Sequence, residues 1–219
     1  NNILIIKNTA TGNGGGISCN SGSPILINAT ISGNSSGNGG AIHCNNFVVT
    51  LINSIIWYNS PTNFYISGGG IIANHSNISG GFIGTGNIDI DPLFVDTTNG
   101  DYSLSNFSEC IGAGTINGAS TTDILGNPRP NPSGSNPDMG AYEHVLGTYD
   151  ILGCMDTLAT NFDISANIND SSLCTYCYVV ADLGLDSIVA CDSTVLSTPV
   201  SIVSTYYWQT TNYIGLGST

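Results

Sequence analysis

Short apolar runs alternate with turn-forming residues over the first part of the chain. Two of them, SPILINATISGN (residues 23–34) and VVTLINSIIWYN (residues 48–59), are rich in Ile, Val and Thr and include or end on Gly, Asn and Ser. β-Branched residues in runs of this length favour strands over helices, and the polar residues between them favour tight turns. The pattern therefore predicts short strands joined by turns.

The pattern repeats at a fixed interval of about 25 residues. The stretch GGGISC at 14–19 returns as GGAIHC at 39–44. Further identities at this spacing are Ile17 and Ile42, Cys19 and Cys44, Leu26 and Leu51, Ile27 and Ile52, Asn28 and Asn53, Ile31 and Ile56, and Asn34 and Asn59. A repeat that makes a few short strands and returns to its starting position predicts one coil of a β-solenoid, about 4.8 Å above the previous coil.

Stacked coils place equivalent side chains above one another. We therefore expect Ile to stack on Ile in a continuous apolar core, and Asn28 to lie over Asn53 in an amide ladder that satisfies buried turn backbone. The glycines of GGG and GGA allow positive φ angles at the bends. We expect a third coil to begin at GGGIIANHSNISGG (residues 68–81), after an insertion that lengthens the interval.

The motifs of residues 1–145 resemble those of a known architecture. The phrases GGGI and SPILINATISGN are similar to the right-handed parallel β-helix repeats of secreted bacterial proteins, in the pectate-lyase-like superfold. GNIDIDPLFVD, GDYSLSNFSECIGAGT and the later GNPRP and DMGAYEH are similar to the C-terminal end of that helix in large surface proteins, and GGAI resembles the polymorphic membrane protein adhesins. The resemblance implies that residues 1–147 hold the C-terminal coils and the closure of a parallel β-helix.

Two further regions follow. GCMDTLATNFDISANINDSSLC (153–174) resembles the small cysteine-bounded, Asp- and Asn-rich modules of secreted proteins from marine and gliding bacteria. From about residue 178, the sequence resembles the start of an immunoglobulin-like or PKD-like module. We expect a linker module at 148–176 and an incomplete β-sandwich at 177–219. The predicted fold class is thus all-β: a right-handed parallel β-helix (solenoid), a small disulfide-stapled module and a partial β-sandwich.

Charge limits the partners of the chain. Lys7 and Arg129 are its only Lys and Arg residues, against 15 acidic residues, and the formal net charge is −13. Binding to phosphates requires clustered cations, so we expect no nucleic-acid partner and no attraction to an anionic membrane surface. No apolar run approaches the roughly 20 residues that span a bilayer, so we expect no direct membrane insertion.

Catalysis is a natural alternative because many parallel β-helices cleave acidic polysaccharides. A lyase needs carboxylates that hold calcium and a basic residue that takes a proton, and a hydrolase needs two or three aspartates on one face. The coils before residue 85 contain no Asp or Glu. We therefore expect no catalytic residue. The runner-up is an accessory C-terminal part of a polysaccharide lyase or glycoside hydrolase whose catalytic coils lie upstream, and a third class is a structural filament.

The seven cysteines suggest different states. Cys154 and Cys174 bracket a segment too short to build its own core, which predicts a disulfide between them. Cys19 and Cys44 occupy one place in adjacent coils, where a disulfide and stacked free thiols are equally expected. We expect Cys110 to be a buried free thiol. The remaining pair, Cys177 and Cys191, forms a disulfide or bonds to residues beyond this chain.

Oxygen-bearing side chains recur at every second residue of the small module. Such alternation is typical of calcium loops, although the glycine and the bidentate Glu of an EF-hand are missing. The sequence therefore predicts either a structural calcium site or a turn-rich loop held by the disulfide. The candidate ligands are Asp156, Asn161, Asp163, Asn167, Asn169 and Asp170, and Ser165 belongs to the same alternation.

Other polar and aromatic residues favour structural roles. We interpret Asp89, Asp91 and Asp96 as turn and capping groups in preference to calcium ligands. We place the three histidines, His43, His75 and His144, at surface or turn positions. Trp57 and Tyr58 at a coil edge either stack on sugars or plug a widened turn. The sequence thus predicts a non-enzymatic, secreted cell-surface protein that is adhesive or structural, with glycans or surface proteins as partners.

Overall fold

The computed structural model describes residues 1–176 of the chain. The chain divides into two compact units, Asn1–Asp150 and Ile151–Thr219. Regular structure within residues 1–176 is all strand except for one three-residue 3₁₀ turn, and no helix there is long and apolar enough to cross a membrane. The predicted β-sandwich at 177–219 and the predicted Cys177–Cys191 pair lie outside the described residues.

The first unit is built from ten short strands. Most are three or four residues long, because Asn and Gly residues interrupt the apolar runs. In chain order they are β1 (Ile3–Ile6), β2 (Ile17–Cys19), β3 (Ile25–Ile27), β4 (Ala29–Ser32), β5 (Ile42–Ile52), β6 (Ile55–Trp57), β7 (Phe64–Asn74), β8 (Asn77–Ile78), β9 (Phe94–Asp96) and β10 (Asp101–Leu104).

Two parallel sheets run along the coils. One has the order β1-β4-β6-β8, and in the other β2 and β3 both pair with β5, which pairs in turn with β7. Ile17 lies beside Ile42 and Leu26 beside Leu51, which is the register that the sequence repeat predicts. The predicted parallel β-solenoid is therefore confirmed.

The third coil differs from its prediction. It begins at Phe64, which pairs with Ile42, so the interval is shorter than that between the first two coils and the expected lengthening is wrong. The connection before β7 has six residues (58–63), whereas the one before β5 has nine (33–41). The glycines at 68–70 align with residues 46–48, and a Cβ on Gly69 would clash with the carbonyl oxygen of Phe47. Gly69 thus allows close strand contact inside β7, whereas a Cβ on Gly70 would meet no atom within 4 Å.

Inward-facing side chains form the predicted apolar core. Ile31, Ile42 and Ile56 are fully buried, and their neighbours in the same cluster come from every coil. Burying an Ile or Leu side chain contributes roughly 1.5–3 kcal/mol, so a stack of this kind is the main source of stability of the solenoid. Other members of the cluster are Cys19, Leu26, Ala29, Ala41, Cys44, Val49, Leu51, Ala73 and Ile78.

An amide ladder is present, but at a different corner from the one predicted. Asn34 accepts from the Asn8 side-chain amide at 2.9 Å, and the Asn34 side-chain amide donates to Asn59 at 3.0 Å. The expected ladder between Asn28 and Asn53 is wrong. Both residues have positive φ angles of 53° and 49°, and their side-chain amides bond elsewhere.

These amides hold residues 105–150, which we call the closing segment. Asn53 donates to the Thr115 carbonyl at 2.8 Å and accepts from the Thr115 amide at 2.8 Å. Asn28 donates to the Asp138 carbonyl at 3.3 Å, and Asn2 donates to the Thr122 carbonyl at 2.7 Å. One corner of three successive coils thus fastens the closing segment to the solenoid.

The closing segment covers the outer face of sheet β1-β4-β6-β8. A second apolar cluster forms there from Ile55 of the solenoid and the buried residues Leu104, Cys110, Ile111 and Met139. The outward residues Thr30, Ser32 and Ile55 of this sheet are consequently buried, whereas Leu4, Ile6 and Trp57 are partly buried. The outer face of the other sheet is the one that carries exposed side chains.

The second unit contains a small parallel pair of strands, β11 (Leu152–Gly153) and β12 (Ile168–Asn169), followed by a 3₁₀ turn at Ser171–Leu173. Cys154 and Cys174 are joined by a disulfide, with Cα atoms 4.9 Å apart, which confirms that prediction.

Candidate functional site

A column of outward side chains crosses the β2-β5-β7 sheet. Ser18, His43 and Tyr65 are partners in adjacent strands. The Ser18 hydroxyl lies 3.2 Å from Nδ1 of His43, and the His43 and Tyr65 rings stack with 5.4 Å between centroids and 22° between planes. Side chains from three coils are therefore joined into one surface feature.

The glycine motifs make room for this column. Gly14 and Gly39 have φ angles of +72° and +65°, in the left-handed region. A Cβ on Gly14 would lie 3.0 Å from Cβ of His43, and one on Gly39 would lie 2.8 Å from Cβ of Tyr65. Each glycine corner thus admits the outward residue of the next coil.

A second column lies two residues further along the strands. Asn20 and Asn45 are linked by an amide hydrogen bond of 3.4 Å, and Ser67 is the partner of Asn45 on β7. Asn20 also donates to the Ser18 hydroxyl at 3.1 Å, which joins the two columns. We call the six residues of the two columns the outward face: Ser18, Asn20, His43, Asn45, Tyr65 and Ser67.

The outward face combines hydrogen-bonding groups with an aromatic ring. Tyr65 is 40% exposed, whereas His43 beneath it is 6% exposed and serves as its support. Asn and Ser side chains offer donors and acceptors, and an aromatic ring offers an apolar surface. The face contains no carboxylate, so it is suited to binding and lacks an acid–base pair.

The two cations of the chain lie at other positions. Lys7 Nζ donates to the carbonyl oxygens of Thr97 at 2.6 Å and Thr98 at 3.2 Å. Arg129 Nε lies 2.8 Å from a carboxylate oxygen of Glu143, and both side chains are buried. Both cations therefore have structural partners.

A buried group of acids surrounds Arg129 in the closing segment, and the sequence analysis missed it. Burial, together with the neighbouring Glu143 carboxylate, raises the pKa of Asp138 to about 7. Burial also raises the pKa of Glu143, which accepts from the amides of Asn131 at 3.0 Å and Asp138 at 3.1 Å. The sequence contains a signal for this group, because the motifs NPRP and DMGAYEH place one Arg and two acidic residues in the closing segment.

The acids before the closing segment form turns. Asp89 accepts from the Gly80 amide at 3.0 Å, and Asp96 accepts from the amides of Thr98 and Asn99, each at 3.1 Å. Hydrogen bonds from Asn99 lower the pKa of Asp96. The third acid, Asp91, accepts from the Leu93 amide at 2.9 Å. This geometry agrees with the interpretation of all three as turn and capping groups.

The other predicted residues are dispersed. Trp57 packs against the second apolar cluster, whereas Tyr58 is 55% exposed and its hydroxyl donates to Asp91 at 3.1 Å. His75 and His144 do not belong to the outward face. Across residues 1–176, no three or more His, Cys, Asp or Glu residues are grouped to hold a metal ion.

The candidate calcium ligands form hydrogen bonds within the second unit. Asp163 and Asp170 accept from the amides of Ser165 and Ser172, at 2.9 and 3.0 Å. Asp156 accepts from the Leu158 amide at 2.9 Å. The three amide side chains likewise accept from main-chain amides: Asn161 from Thr175, Asn167 from Ile151 and Asn169 from Met155. Calcium binding by these residues stays a prediction.

Three cysteines of the solenoid unit are free and buried. Cys19 and Cys44 are partners in adjacent strands, so the stacked-thiol alternative is the one present. Burial, followed by the neighbouring Cys19, raises the pKa of Cys44. Cys110 is free as expected, and burial raises its pKa to about 12.

Comparison of the chain with protein-family models, with curated proteins and with solved structures finds no match.

Proposed function

We propose that this chain is part of a non-enzymatic, secreted cell-surface protein that binds glycans through its outward face. The stack of Tyr65 on His43 carries the proposal. Sugars present an apolar ring face surrounded by hydroxyl groups, and an exposed aromatic ring beside amide and hydroxyl side chains complements both. The columns repeat from coil to coil, so several points of contact lie along one line of the solenoid.

A binding role fits the outward face better than catalysis does. Hydrolysis of a glycosidic bond requires two carboxyl groups that flank it, and lyase chemistry requires a base beside a cation. The six residues of the outward face include neither a carboxylate nor a Lys or Arg, and the first acid in the sequence is Asp89.

Secretion is supported by the disulfide of the second unit. Disulfides such as Cys154–Cys174 form and persist in oxidising compartments outside the cytosol. A small unit stapled in this way suits a spacer between larger parts of a surface protein. A structural calcium ion in this unit belongs to the same proposal, and its test is a change in the thermal stability of the unit when a chelator is added.

Retention on immobilised polysaccharides tests the proposed function. The wild-type chain, Tyr65→Ala and Tyr65→Phe are compared on one panel of polymers, and released reducing ends are recorded in the same samples. We expect retention without cleavage, weakened in Tyr65→Ala and kept in Tyr65→Phe, which preserves the ring. Tyr58→Ala is the matched control, because Tyr58 is also exposed but lies off the face. Release of reducing ends by the wild-type chain would show that the chain is an enzyme.

A further inference from the structure

We infer that the outward face selects neutral glycans and rejects anionic ones. This inference rests on the proposed function and adds the class of ligand. Its basis is the position of every positively charged side chain in relation to the outward face, together with the chemistry of the face itself.

Both positively charged side chains of the sequence already have partners within the protein. Lys7 is held by the Thr97 and Thr98 carbonyls, and Arg129 is buried against Glu143. The sequence contains no other Lys or Arg. A uronate, sulfate or sialate group on the outward face would therefore lose water without gaining the paired cation that offsets this cost.

The net charge of the chain also disfavours the binding of anionic glycans. A formal net charge of −13 repels a polyanion before contact, and the repulsion is strongest at low salt. Calcium bridging is disfavoured at this face, because the face offers no carboxylate and the carbonyl oxygens of its two amide side chains, Asn20 and Asn45, already accept hydrogen bonds. Neutral hydroxyl groups, in contrast, match these side chains directly.

His43 is the only residue of the outward face that can acquire a positive charge. Its ring is 6% exposed and lies between Ser18 and Tyr65, so a bound glycan meets Tyr65 first.

The test uses pairs of polymers with one backbone, one neutral and one carboxylated or sulfated, at low and at high salt. We expect the wild-type chain to retain the neutral member of each pair at both salt concentrations and to retain the anionic member at least roughly tenfold less. Tyr65→Ala should weaken retention of the neutral polymer by roughly tenfold, which corresponds to the loss of one aromatic stacking contact.

A charge-gain variant makes the inference specific to this face. Ser67→Lys places a cation beside Tyr65, and we expect it to retain the anionic polymers, with retention that falls at high salt. Ser133→Lys adds the same charge at an exposed position of the closing segment and should not do so.

The outcomes separate the two proposals. Equal retention of neutral and anionic polymers by the wild-type chain overturns the selectivity and leaves glycan binding in place. Retention of anionic polymers alone overturns it as well. Failure to retain any polymer of the panel overturns the proposed function, and the selectivity with it.

Discussion

The imidazole of His43 and the phenol of Tyr65 stack across two adjacent coils, 5.4 Å apart at their centroids. The contact depends on the backbone at Gly39, since this corner of the second coil lies against the amide nitrogen and Cβ of Tyr65. The ring position is thus set by a glycine that belongs to the preceding coil of the solenoid.

Gly39→Ala should destabilise the solenoid and weaken glycan retention together. The new Cβ would lie 2.7 Å from both the Ile42 carbonyl oxygen and the Tyr65 amide, on a backbone with φ of +65°. We expect the free energy of unfolding to fall by roughly 3 kcal/mol. Gly22→Ala is the control, because Gly22 has φ of +77° but no atom within 4 Å of the new Cβ, and it should lose only about 1 kcal/mol. Urea unfolding measures both, and equal losses would contradict the prediction.

Asn53→Ala should detach the closing segment. Asn53 is fully buried, and its amide makes two hydrogen bonds of 2.8 Å with the main chain of Thr115. Loss of both bonds leaves the N–H and the carbonyl group of the partly buried Thr115 without these partners, so we expect a loss of roughly 1–3 kcal/mol. Asn53→Gly keeps the positive φ angle at no steric cost and isolates the share due to the amide. Amide hydrogen exchange of residues 112–141 measures detachment. Unchanged protection in both variants would show that the amide is dispensable.

Stability of the solenoid unit should fall as the pH rises towards neutrality. An aspartate in an unfolded chain has a pKa of about 3.9, whereas burial raises that of Asp138 to about 7, so the folded state binds the proton more tightly. The stabilising effect of protonation is full below about pH 4 and is lost as the pH rises through about 7. We expect the free energy of unfolding to be lower at pH 8 than at pH 5 by on the order of 2 kcal/mol.

Asp138→Asn checks the source of this pH dependence. The raised pKa of Glu143 also lowers the stability as the pH rises, so part of the pH dependence remains in the variant. We therefore expect the free energy of unfolding of Asp138→Asn to fall less steeply than that of the wild-type chain between about pH 5 and about pH 8. The lowered pKa of Asp123 has the opposite effect, which is confined to acid pH, and the lowered pKa of the partly buried His144 offsets part of the fall. Urea midpoints across the pH range provide the measurement. A slope identical to that of the wild-type chain would exclude Asp138 as its source.

Reduction of Cys154–Cys174 should unfold the second unit. The cysteines are separated by 20 residues, and closing a loop of this size stabilises a fold by roughly 3 kcal/mol. We expect Cys154→Ser with Cys174→Ser to make residues 154–174 sensitive to a protease while residues 1–150 stay resistant. Cys110→Ser, which alters a free thiol, is the control for loss of a cysteine. Persistent resistance of the doubly substituted segment would mean that its turns suffice without the disulfide.

The solenoid could be predicted from the sequence because each coil contacts only its neighbouring coils, so equivalent core residues recur at a regular spacing along the chain. Ile17 and Ile42 match at the spacing of the coils, so a simple alignment revealed the register. The start of the third coil was predicted wrongly, because the connection before Phe64 is three residues shorter than the one before Ile42. The glycines at 68–70 also resemble in sequence the corner glycines at Gly39, although they lie inside β7.

Side-chain partners distant in sequence were not predictable in this way. Asn28 and Asn53 match at the repeat spacing, but their amides bond to the closing segment, which lies far along the chain from both coils. Tyr65 was overlooked because its alignment with His43 depends on the shortened third coil. Trp57 and Tyr58 were considered for sugar stacking because they are aromatic and lie at a coil edge, with the plugging of a turn as the alternative, and of these Trp57 proved to pack in an apolar cluster.

The fastening of the closing segment by Asn2, Asn28 and Asn53 has a consequence for a protein pulled along its solenoid axis. The hydrogen bonds of these three corners cross from successive coils to the closing segment, so we expect tension to be shared among the three coils that carry them. We expect such an arrangement to rupture in one event at high force. A solenoid without the closing segment would instead unfold coil by coil in a series of small steps.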